Sequence, residues 1–330
     1  MTDSAGPWVL GVDSGGSGLR IALARVAPDG SVERCGDPVA GSSPVRTGEG
    51  GLDPAHLLEQ LLPAAGELLA RAGSGARPAA ACVGAAGMTT LGTRLRAELP
   101  GALADRLGVR RLALAADAVT GYAGGLGERS GAVVAAGTGM IALGTDLTGW
   151  RRADGWGHLL GDCGGGAWIG RSGLEAALRA HDGREGGSAA LLARAERLFG
   201  PPAGLPERLY PRADRAAVLA SFAPEVARCA GQDADPVAGA VMRAAAREIA
   251  VTAAAVCPGT RGSRLALTGG LIRLGDPLLA PLRQEFATRL PHVAVVGAAG
   301  DPLDGALLVA ARLATGTLRL PRHPTLLSVS

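Results

Sequence analysis

Short apolar stretches near the start of the chain predict β-strands, and a longer leucine pattern after them predicts a helix. Residues 8–12 and 19–26 predict two strands around a glycine-rich turn, and "SVERC" predicts a third. Asp53 and Pro54 are typical of a helix N-cap and first helical position, and leucines at helical spacing follow them. Pro63 falls inside that helix and predicts a kink.

The pattern continues to Asp117 and then begins again. "AAACVGAAG" predicts a buried strand, residues 90–107 predict a second helix, and "RRLALAAD" predicts a strand that ends at Asp117. The first 117 residues therefore predict the order β-β-β-α-β-α-β. A second strand–glycine turn–strand follows at residues 132–143, which indicates an internal repeat of architecture.

The rest of the chain predicts helices first and mixed elements later. Residues 172–256 are rich in Ala, Leu, Arg and Glu, and a proline-rich segment at 199–214 predicts a loop within them. "RLALTGGLI" predicts a strand that ends at a Gly-Gly turn, and "HVAVVG" predicts a further strand. The helix "DPLDGALLVAARLA" should return to the first domain, and the tail at 318–330 carries no readable pattern. A length of 330 residues favours two domains.

Composition narrows the function classes. A net charge of +3 and 3% aromatic residues give no basic, aromatic surface for nucleic acid. No secretory signal and no apolar run long enough to span a bilayer are visible, so we expect a cytoplasmic protein without a membrane partner. The five scattered cysteines are expected to be free thiols. The sequence contains no lysine and no asparagine, which excludes a Walker A lysine and Schiff-base chemistry.

The two glycine turns are candidates for anion binding. Backbone N–H groups of a tight, glycine-rich turn form a concave anion site, and glycine lets a ligand approach closely. Two such turns, one per domain, would clamp a polyphosphate, with Ser17 and Thr138 as hydroxyl donors. For either turn alone, a plain structural hairpin is the simpler interpretation.

Five segments in order resemble the nucleotide-binding motifs of the hexokinase, Hsp70 and actin superfamily. Within it they are most similar to the BadF/BadG/BcrA/BcrD-type kinases, which include N-acetylglucosamine kinases and actinobacterial glucosamine kinases. The segments are "VDSGGSGLR", "AADAVTG", "VAAGTGMIALG", "LTGGLI" and "DPLDGALLVA". The resemblance implies a two-domain actin-like ATPase fold, with duplicated ribonuclease H-like βββαβαβα domains and a cleft between them. The expected domains are residues 1–118 plus about 305–330, and residues 119–304.

The resemblance also implies the roles of individual residues. Asp13 should hold Mg²⁺, through water, and Asp117 should accept the proton of a sugar hydroxyl. Without the other motifs, Asp117 would be interpreted as a helix N-cap. The residues implied in binding the phosphates of ATP are Ser14, Gly15, Gly16, Ser17, Gly137, Thr138 and Gly139, and those implied in binding adenosine are Gly269 and Gly270.

The segment "DGWGHLLGDCGGGAWIGRSGLEAAL" resembles the sugar site of these kinases. Asp162 should accept hydrogen bonds from sugar hydroxyls, and His158 is a further candidate contact, although a packed histidine is an equal alternative. The implied sugar contacts also include Asp117, Gly137 and Thr138. The family pattern Gly-Asp-Glu-Gly-Ser is broken here, since Cys163 and Gly165 replace the glutamate and the serine.

Two further positions depart from the family pattern or are ambiguous. Gly18 stands where the family often has a lysine; Arg20 could compensate for it or point to solvent. Asp301 precedes Pro302 and is interpreted as the cap of the last helix, with a hinge near Gly305 implied by the resemblance.

The expected activity is ATP-dependent phosphorylation of glucosamine at O6. N-acetylglucosamine, or a wider range of hexosamines and glucose, is the alternative; the absence of asparagine favours the free amine, whose ammonium could meet Glu49 or Glu175. An ATP-driven activator is less well supported because no close cysteine pair could hold an iron–sulfur cluster. A non-catalytic sugar sensor is the other alternative, and a homodimer is left open.

Overall fold

The computed structural model describes residues 6–15, 18–43, 45–48, 51–73, 75–88 and 92–330. The chain forms two compact units. The first comprises Met1–Gly131, Thr145–Trp150 and Gly297–Ser330, and the second comprises Ala132–Gly144 and Arg151–Val296. Helix Asp117–Leu126 is therefore grouped with the first unit, whereas the sequence places the domain boundary at residue 118.

The first unit is built on a seven-stranded sheet and a small two-stranded one. The strands are β1 (Trp8–Gly15), β2 (Gly18–Val26), β3 (Val32–Arg34), β4 (Val39–Ala40), β5 (Thr47–Gly48), β6 (Gly51–Leu52), β7 (Pro78–Ala85), β8 (Leu112–Ala116) and β14 (Leu327–Val329). The order in the large sheet is β14-β8-β7-β1-β2-β3, with β4 paired to β2, and β5 pairs with β6 in the small one. β1, β7 and β8 run parallel, and β2 and β14 pair antiparallel with their neighbours β1 and β8. The predicted order β-β-β-α-β-α-β is confirmed, with short strands added after β3.

Among the described residues, α1 (Pro54–Ala72) packs on the large sheet and α2 (Thr93–Leu107) packs on α1, while α3 (Asp117–Leu126) and α11 (Pro302–Thr315) also pack on that sheet. The Asp53 carboxylate caps α1 by accepting a hydrogen bond from Ala55 N, as predicted, and the helix continues through Pro63. α11 packs on β1 and α3. A side chain at Gly11 would clash with Leu307, so this glycine lets α11 lie directly on the central strand.

The second unit has a five-stranded sheet, whose strands are β9 (Gly131–Ala136), β10 (Met140–Thr145), β11 (Trp150–Asp154), β12 (Arg264–Thr268) and β13 (Ala294–Gly297). Their order in the sheet is β11-β10-β9-β12-β13. The apolar core of this unit includes Phe222, Ile249 and Phe286. The helices are α4 (Gly166–His181), α5 (Ala189–Phe199), α6 (Leu205–Leu209), α7 (Arg215–Ala220), α8 (Ala223–Gly231), α9 (Pro236–Val256) and α10 (Asp276–Arg289), with 3₁₀ turns at Pro202–Gly204 and Gly270–Leu274.

One prediction about local structure is wrong, and one segment without a sequence pattern forms a strand. The proline-rich segment at 199–214 contains helix α6, which is possible because Pro206 stands in the first turn, where its missing N–H costs nothing. The tail at 318–330 provides strand β14, which pairs with β8 through Leu327, Ser328 and Val329. Within the described ranges, no helix combines the length and the apolar character that crossing a bilayer requires.

Candidate active site

The first glycine turn joins β1 to β2, which pair antiparallel up to Gly15 and Gly18. Ser14 is buried, whereas a side chain added at Gly15 would meet open space. The backbone at Gly15 is therefore accessible to a ligand, as an anion site requires. Gly16 and Ser17, which the sequence assigns to phosphate binding, lie outside the described residues.

Backbone conformation explains the glycine at position 18. Gly18 has a φ of 125°, which side-chain-bearing L-residues rarely adopt. A lysine here would be strained although nothing lies within 4 Å of the Cβ position. The turn therefore departs from the lysine-containing pattern for a conformational reason. The basic residue nearest to the turn in sequence is Arg20, on β2.

Gly18→Ala is expected to lower the free energy of unfolding by about 1–3 kcal/mol, because alanine cannot relax at this φ. Chemical denaturation measures the change. Gly15→Ala is the matched control, since Gly15 lies on the same hairpin without a positive φ and with open space at its Cβ. Equal effects of the two substitutions would contradict the conformational explanation.

The described residues place Asp13 in an ion-pair cluster. Arg20 Nη2 lies 2.6 Å from Asp13 Oδ2, and Arg20 Nη1 lies 2.7 Å from Asp301 Oδ2. Arg20 therefore does not simply point to solvent, which was one of the two sequence-based interpretations. Burial raises the pKa of Asp13, and the hydrogen bond and charge of Arg20 oppose that shift only in part. The result is a mostly buried carboxylate that depends on a cationic partner.

Asp301 has the predicted capping role. Its Oδ1 accepts a hydrogen bond from Asp304 N at 3.0 Å, and Asp304 Oδ2 accepts one from Asp301 N at 2.9 Å, which completes a capping box at the start of α11. Burial acts to raise the pKa of Asp301, but the Asp304 N–H and Arg20 more than offset it, so the pKa is lowered. Arg34 Nη2 also lies 3.6 Å from Asp301 Oδ1 and pairs with Asp304 at 2.5 Å.

Asp117 is the first residue of α3 and directly follows the fully buried strand β8. Ala116 takes the N-cap position, so Asp117 is not the N-cap of the helix. Asp117 is exposed, whereas its neighbours Ala116 and Ala118 are buried, as is the rest of α3. Its Oδ1 accepts a hydrogen bond from Ala118 N at 2.8 Å, which orients the carboxylate.

The second glycine turn, Gly137 to Gly139, is held by the N-terminus of α4. Gly166 N and Ala167 N each donate to a turn carbonyl, on Gly137 and Thr138, at 2.8 Å. Thr138 is exposed at the tip. Side chains at Gly165 or Gly166 would come within 3 Å of this turn, so the glycine run lets the two backbones approach.

Two acids of the sugar-site segment hold backbone amides. Asp154 Oδ1 accepts from Asp162 N at 2.6 Å, and Asp154 Oδ2 accepts from Cys163 N at 3.0 Å. Asp162 Oδ1 in turn accepts from Gly157 N at 3.1 Å, and its carboxylate also accepts from Met140 N. Both acids have left-handed backbones, with φ of 58° and 55°. The loop is therefore fastened to β10, next to the second glycine turn.

Sequence reasoning missed Asp154. The only local signal is an acid before a glycine in "DGWG", and many turns share that signal. Burial raises the pKa of Asp162, and its backbone hydrogen bonds only partly oppose the shift. A side chain at Gly139 would clash with the Asp162 carboxylate, so the glycine of the turn and the acid of the loop occupy adjoining space.

The loop between Asp154 and Asp162 also carries one unpartnered polar atom and one exposed aromatic ring. The Nε2 atom of His158 is buried and has no hydrogen-bond partner among the described residues. Trp156 is 65% exposed, with the Arg152 guanidinium 4.7 Å from its ring centroid. An unsatisfied polar atom and an exposed aromatic ring are groups that a bound ligand could cover.

The predicted adenosine turn lies at the end of β12. Gly269 has a φ of 97°, and a side chain there would clash with the Ala136 carbonyl. Gly270 begins a 3₁₀ turn, and the space around its Cβ position is open. Both glycines are exposed, so a planar ligand could lie against bare backbone at this turn.

Comparison with solved structures confirms the predicted actin-like ATPase fold. A candidate N-acetylglucosamine kinase from Chromobacterium violaceum is 29% identical, with a TM-score of 0.70 over 92% of this chain and 99% of that chain. A ROK family glucokinase from Streptomyces griseus, solved with glucose and AMPPNP, is 21% identical, with a TM-score of 0.52 over 94% of this chain and 99% of that chain. At that lower identity the likeness concerns the fold alone.

Sequence comparison identifies the family. An N-acetylmuramic acid/N-acetylglucosamine kinase of Clostridium acetobutylicum is 30% identical over 203 residues, which are 59% of this chain and 65%, just under two thirds, of that protein. This relative and the two solved structures above are named as sugar kinases. Sugar kinases are phosphotransferases with an alcohol acceptor, which is the enzyme class expected from the sequence. A model of the BadF/BadG/BcrA/BcrD ATPase family matches residues 10–310, so the chain belongs to that family, as its ordered motifs predict.

Proposed function

We propose that this protein is an ATP-dependent hexosamine kinase that phosphorylates the O6 hydroxyl of an amino sugar. The carboxylate of Asp117 carries the proposal. It is exposed at the end of a buried strand and at the start of a helix whose other residues are buried. An exposed carboxylate on rigid elements can accept a hydroxyl proton during phosphoryl transfer.

The proposed reaction asks the protein mainly to position and neutralise charge. The sugar O6 attacks the γ-phosphorus, the new O6–P bond forms, and the bond to the leaving oxygen of ADP breaks. The hydroxyl proton passes to Asp117 and then to solvent. In this proposal the backbone at Gly15 and the amides of Thr138 and Gly139 bind phosphate oxygens, while Gly137, whose N–H donates to Gly139 O at 2.9 Å, shapes the second turn. The bare backbone of Gly269 and Gly270 packs against adenosine.

Asp13 is the proposed residue for Mg²⁺. Mg²⁺ in kinases usually combines one or two carboxylates with phosphate oxygens and water. Asp13 supplies one carboxylate beside an accessible turn, and its contacts with other described residues use Oδ2. No group of three or more His, Cys, Asp or Glu residues among the described positions could hold a metal alone. The ion would therefore arrive with the nucleotide, whose phosphate charge it neutralises.

Asp162 and His158 are the proposed sugar contacts. Asp162 accepts from two backbone amides and, as a carboxylate, has further acceptor capacity for a sugar hydroxyl. The buried, unpartnered Nε2 of His158 would gain a hydrogen bond from the same ligand.

Two observations favour different substituents at C2 of the sugar. The relatives from Clostridium acetobutylicum and Chromobacterium violaceum are named for N-acetylated sugars, which favours N-acetylglucosamine. The complete absence of asparagine removes a side chain suited to an acetamido group, which favours glucosamine. We propose glucosamine first, with N-acetylglucosamine as the second candidate.

Sugar-stimulated release of ADP tests the proposal. We expect glucosamine or N-acetylglucosamine to raise ADP release from ATP well above the rate without sugar, in a coupled assay with Mg²⁺. Glucose, mannosamine and N-acetylmuramic acid complete the panel. The matched control is 6-deoxyglucosamine, which lacks the attacking hydroxyl and should not stimulate release. A panel in which no sugar stimulates ADP release would refute the kinase proposal.

A further inference from the structure

Arg20 is shared between two carboxylates of different function. Its Nη2 lies 2.6 Å and its Nε 3.3 Å from Asp13 Oδ2, while its Nη1 lies 2.7 Å from Asp301 Oδ2. Asp13 is the proposed metal residue, and Asp301 caps the last helix. One guanidinium therefore joins the end of β1 to the N-terminus of α11.

The pair with Asp13 compensates the charge of a mostly buried carboxylate. The Asp13 side chain is only 13% exposed, and a buried carboxylate without a cationic partner is strongly disfavoured. Arg20 supplies that partner. A divalent cation that bound the same carboxylate would neutralise it as well, and it would also repel the guanidinium in contact with Oδ2.

The second anchor lets Arg20 leave Asp13 without losing all its partners. Asp301 is fixed by the capping box with Asp304, and Arg34 forms ion pairs with both acids. Arg20 itself is 40% exposed, so its side chain has space to change rotamer. Release from Asp13 would therefore cost one of two ion pairs.

We propose that Arg20 is an exchangeable counterion, which pairs with Asp13 when no nucleotide is bound and yields that carboxylate to the divalent cation of the incoming nucleotide. It stays paired with Asp301 throughout. This inference rests on the proposed function, because it needs Asp13 to meet the nucleotide's cation. Arg20 acts here as a positioning residue, and it sets how much Mg²⁺ strengthens nucleotide binding.

Calorimetric binding of ADP with and without Mg²⁺ tests the exchange. Wild type should bind ADP more tightly with Mg²⁺, so the Kd without Mg²⁺ divided by the Kd with Mg²⁺ should exceed one. In Arg20→Gln this ratio should be larger than in wild type by about tenfold or more, because the competing charged hydrogen bonds are gone. The double variant Asp13→Asn/Arg20→Gln should not show this increase in the Kd ratio. The matched control is Arg34→Gln, which removes an arginine of the same cluster that does not pair with Asp13 and should leave the ratio at the wild-type value.

The outcomes separate the exchange from a purely structural role and from the function itself. A structural role would lower the melting temperature of Arg20→Gln but change both Kd values alike, which would overturn the exchange while the kinase proposal stands. Wild type without Mg²⁺-dependent ADP binding would overturn both. If Arg20→Gln does not fold, Arg20→Lys serves instead, because an ammonium cannot reproduce the three guanidinium contacts. A ratio for Arg20→Lys no higher than wild type would overturn the exchange.

Discussion

Asp117→Asn is expected to lower kcat by about 10²–10⁴-fold, the usual contribution of a positioned general base. Asparagine is nearly isosteric and keeps an oxygen that can accept the 2.8 Å hydrogen bond from Ala118 N. The start of α3 should therefore keep its geometry. The amide oxygen cannot take the hydroxyl proton at neutral pH, so the loss should appear in turnover, while KM for the sugar and for ATP stays within a few fold.

Asp276→Asn is the matched control for this experiment. Asp276 is also an acidic first residue of a long helix, α10, and it is highly exposed. Its substitution removes the same charge from the same helical position, so it reports any general effect of losing an acid at a helix N-terminus. Steady-state kinetics of both variants, with circular dichroism to check folding, decide the matter. Turnover near wild type in a folded Asp117→Asn protein would rule out Asp117 as the general base.

The first unit could be predicted from the sequence because its elements carry local signals. Strand β1 and helix α1 have clear apolar periods, and Asp53 marks a helix start with a side chain suited to capping. β14 gave no such signal, since three residues near the chain end form a strand only by pairing with β8, more than 200 residues away in sequence. Local pattern cannot reveal a pairing that depends on a distant partner.

Individual roles in the candidate site were harder to predict, because they depend on contacts between distant residues. Arg20 was ambiguous in sequence, and its partner Asp301 lies 281 positions later. At position 18 the sequence shows only that a lysine common in the family is absent. The φ of 125° explains why a glycine stands there. The positions that the sequence proposes for ligand binding, such as Asp117 and Gly269, lie at strand ends, where an acid or a glycine interrupts an apolar run.

Asp154→Asn is expected to lower the free energy of unfolding by about 3 kcal/mol, because hydrogen bonds to a charged acceptor contribute about 1.5–3 kcal/mol each. The carboxylate accepts from Asp162 N and Cys163 N through different oxygens. Asparagine tolerates the left-handed backbone at φ 58°, so backbone strain does not contribute. Its amide nitrogen, however, would face one of the two N–H donors and leave that donor unsatisfied.

The same substitution should weaken sugar binding, because Asp154 holds the backbone of the proposed sugar contact Asp162. The sugar KM should rise about tenfold or more if the loop loses one charged hydrogen bond, with a smaller change in KM for ATP. Asp146→Asn is the matched control: Asp146 is an exposed acid that accepts hydrogen bonds from Thr148 within its own turn, and its loss should alter stability by less than about 0.5 kcal/mol. If Asp154→Asn unfolds like wild type in urea, then the two amide contacts do not stabilise the loop, and Asp162 must be held by its own bonds to Gly157 and Met140.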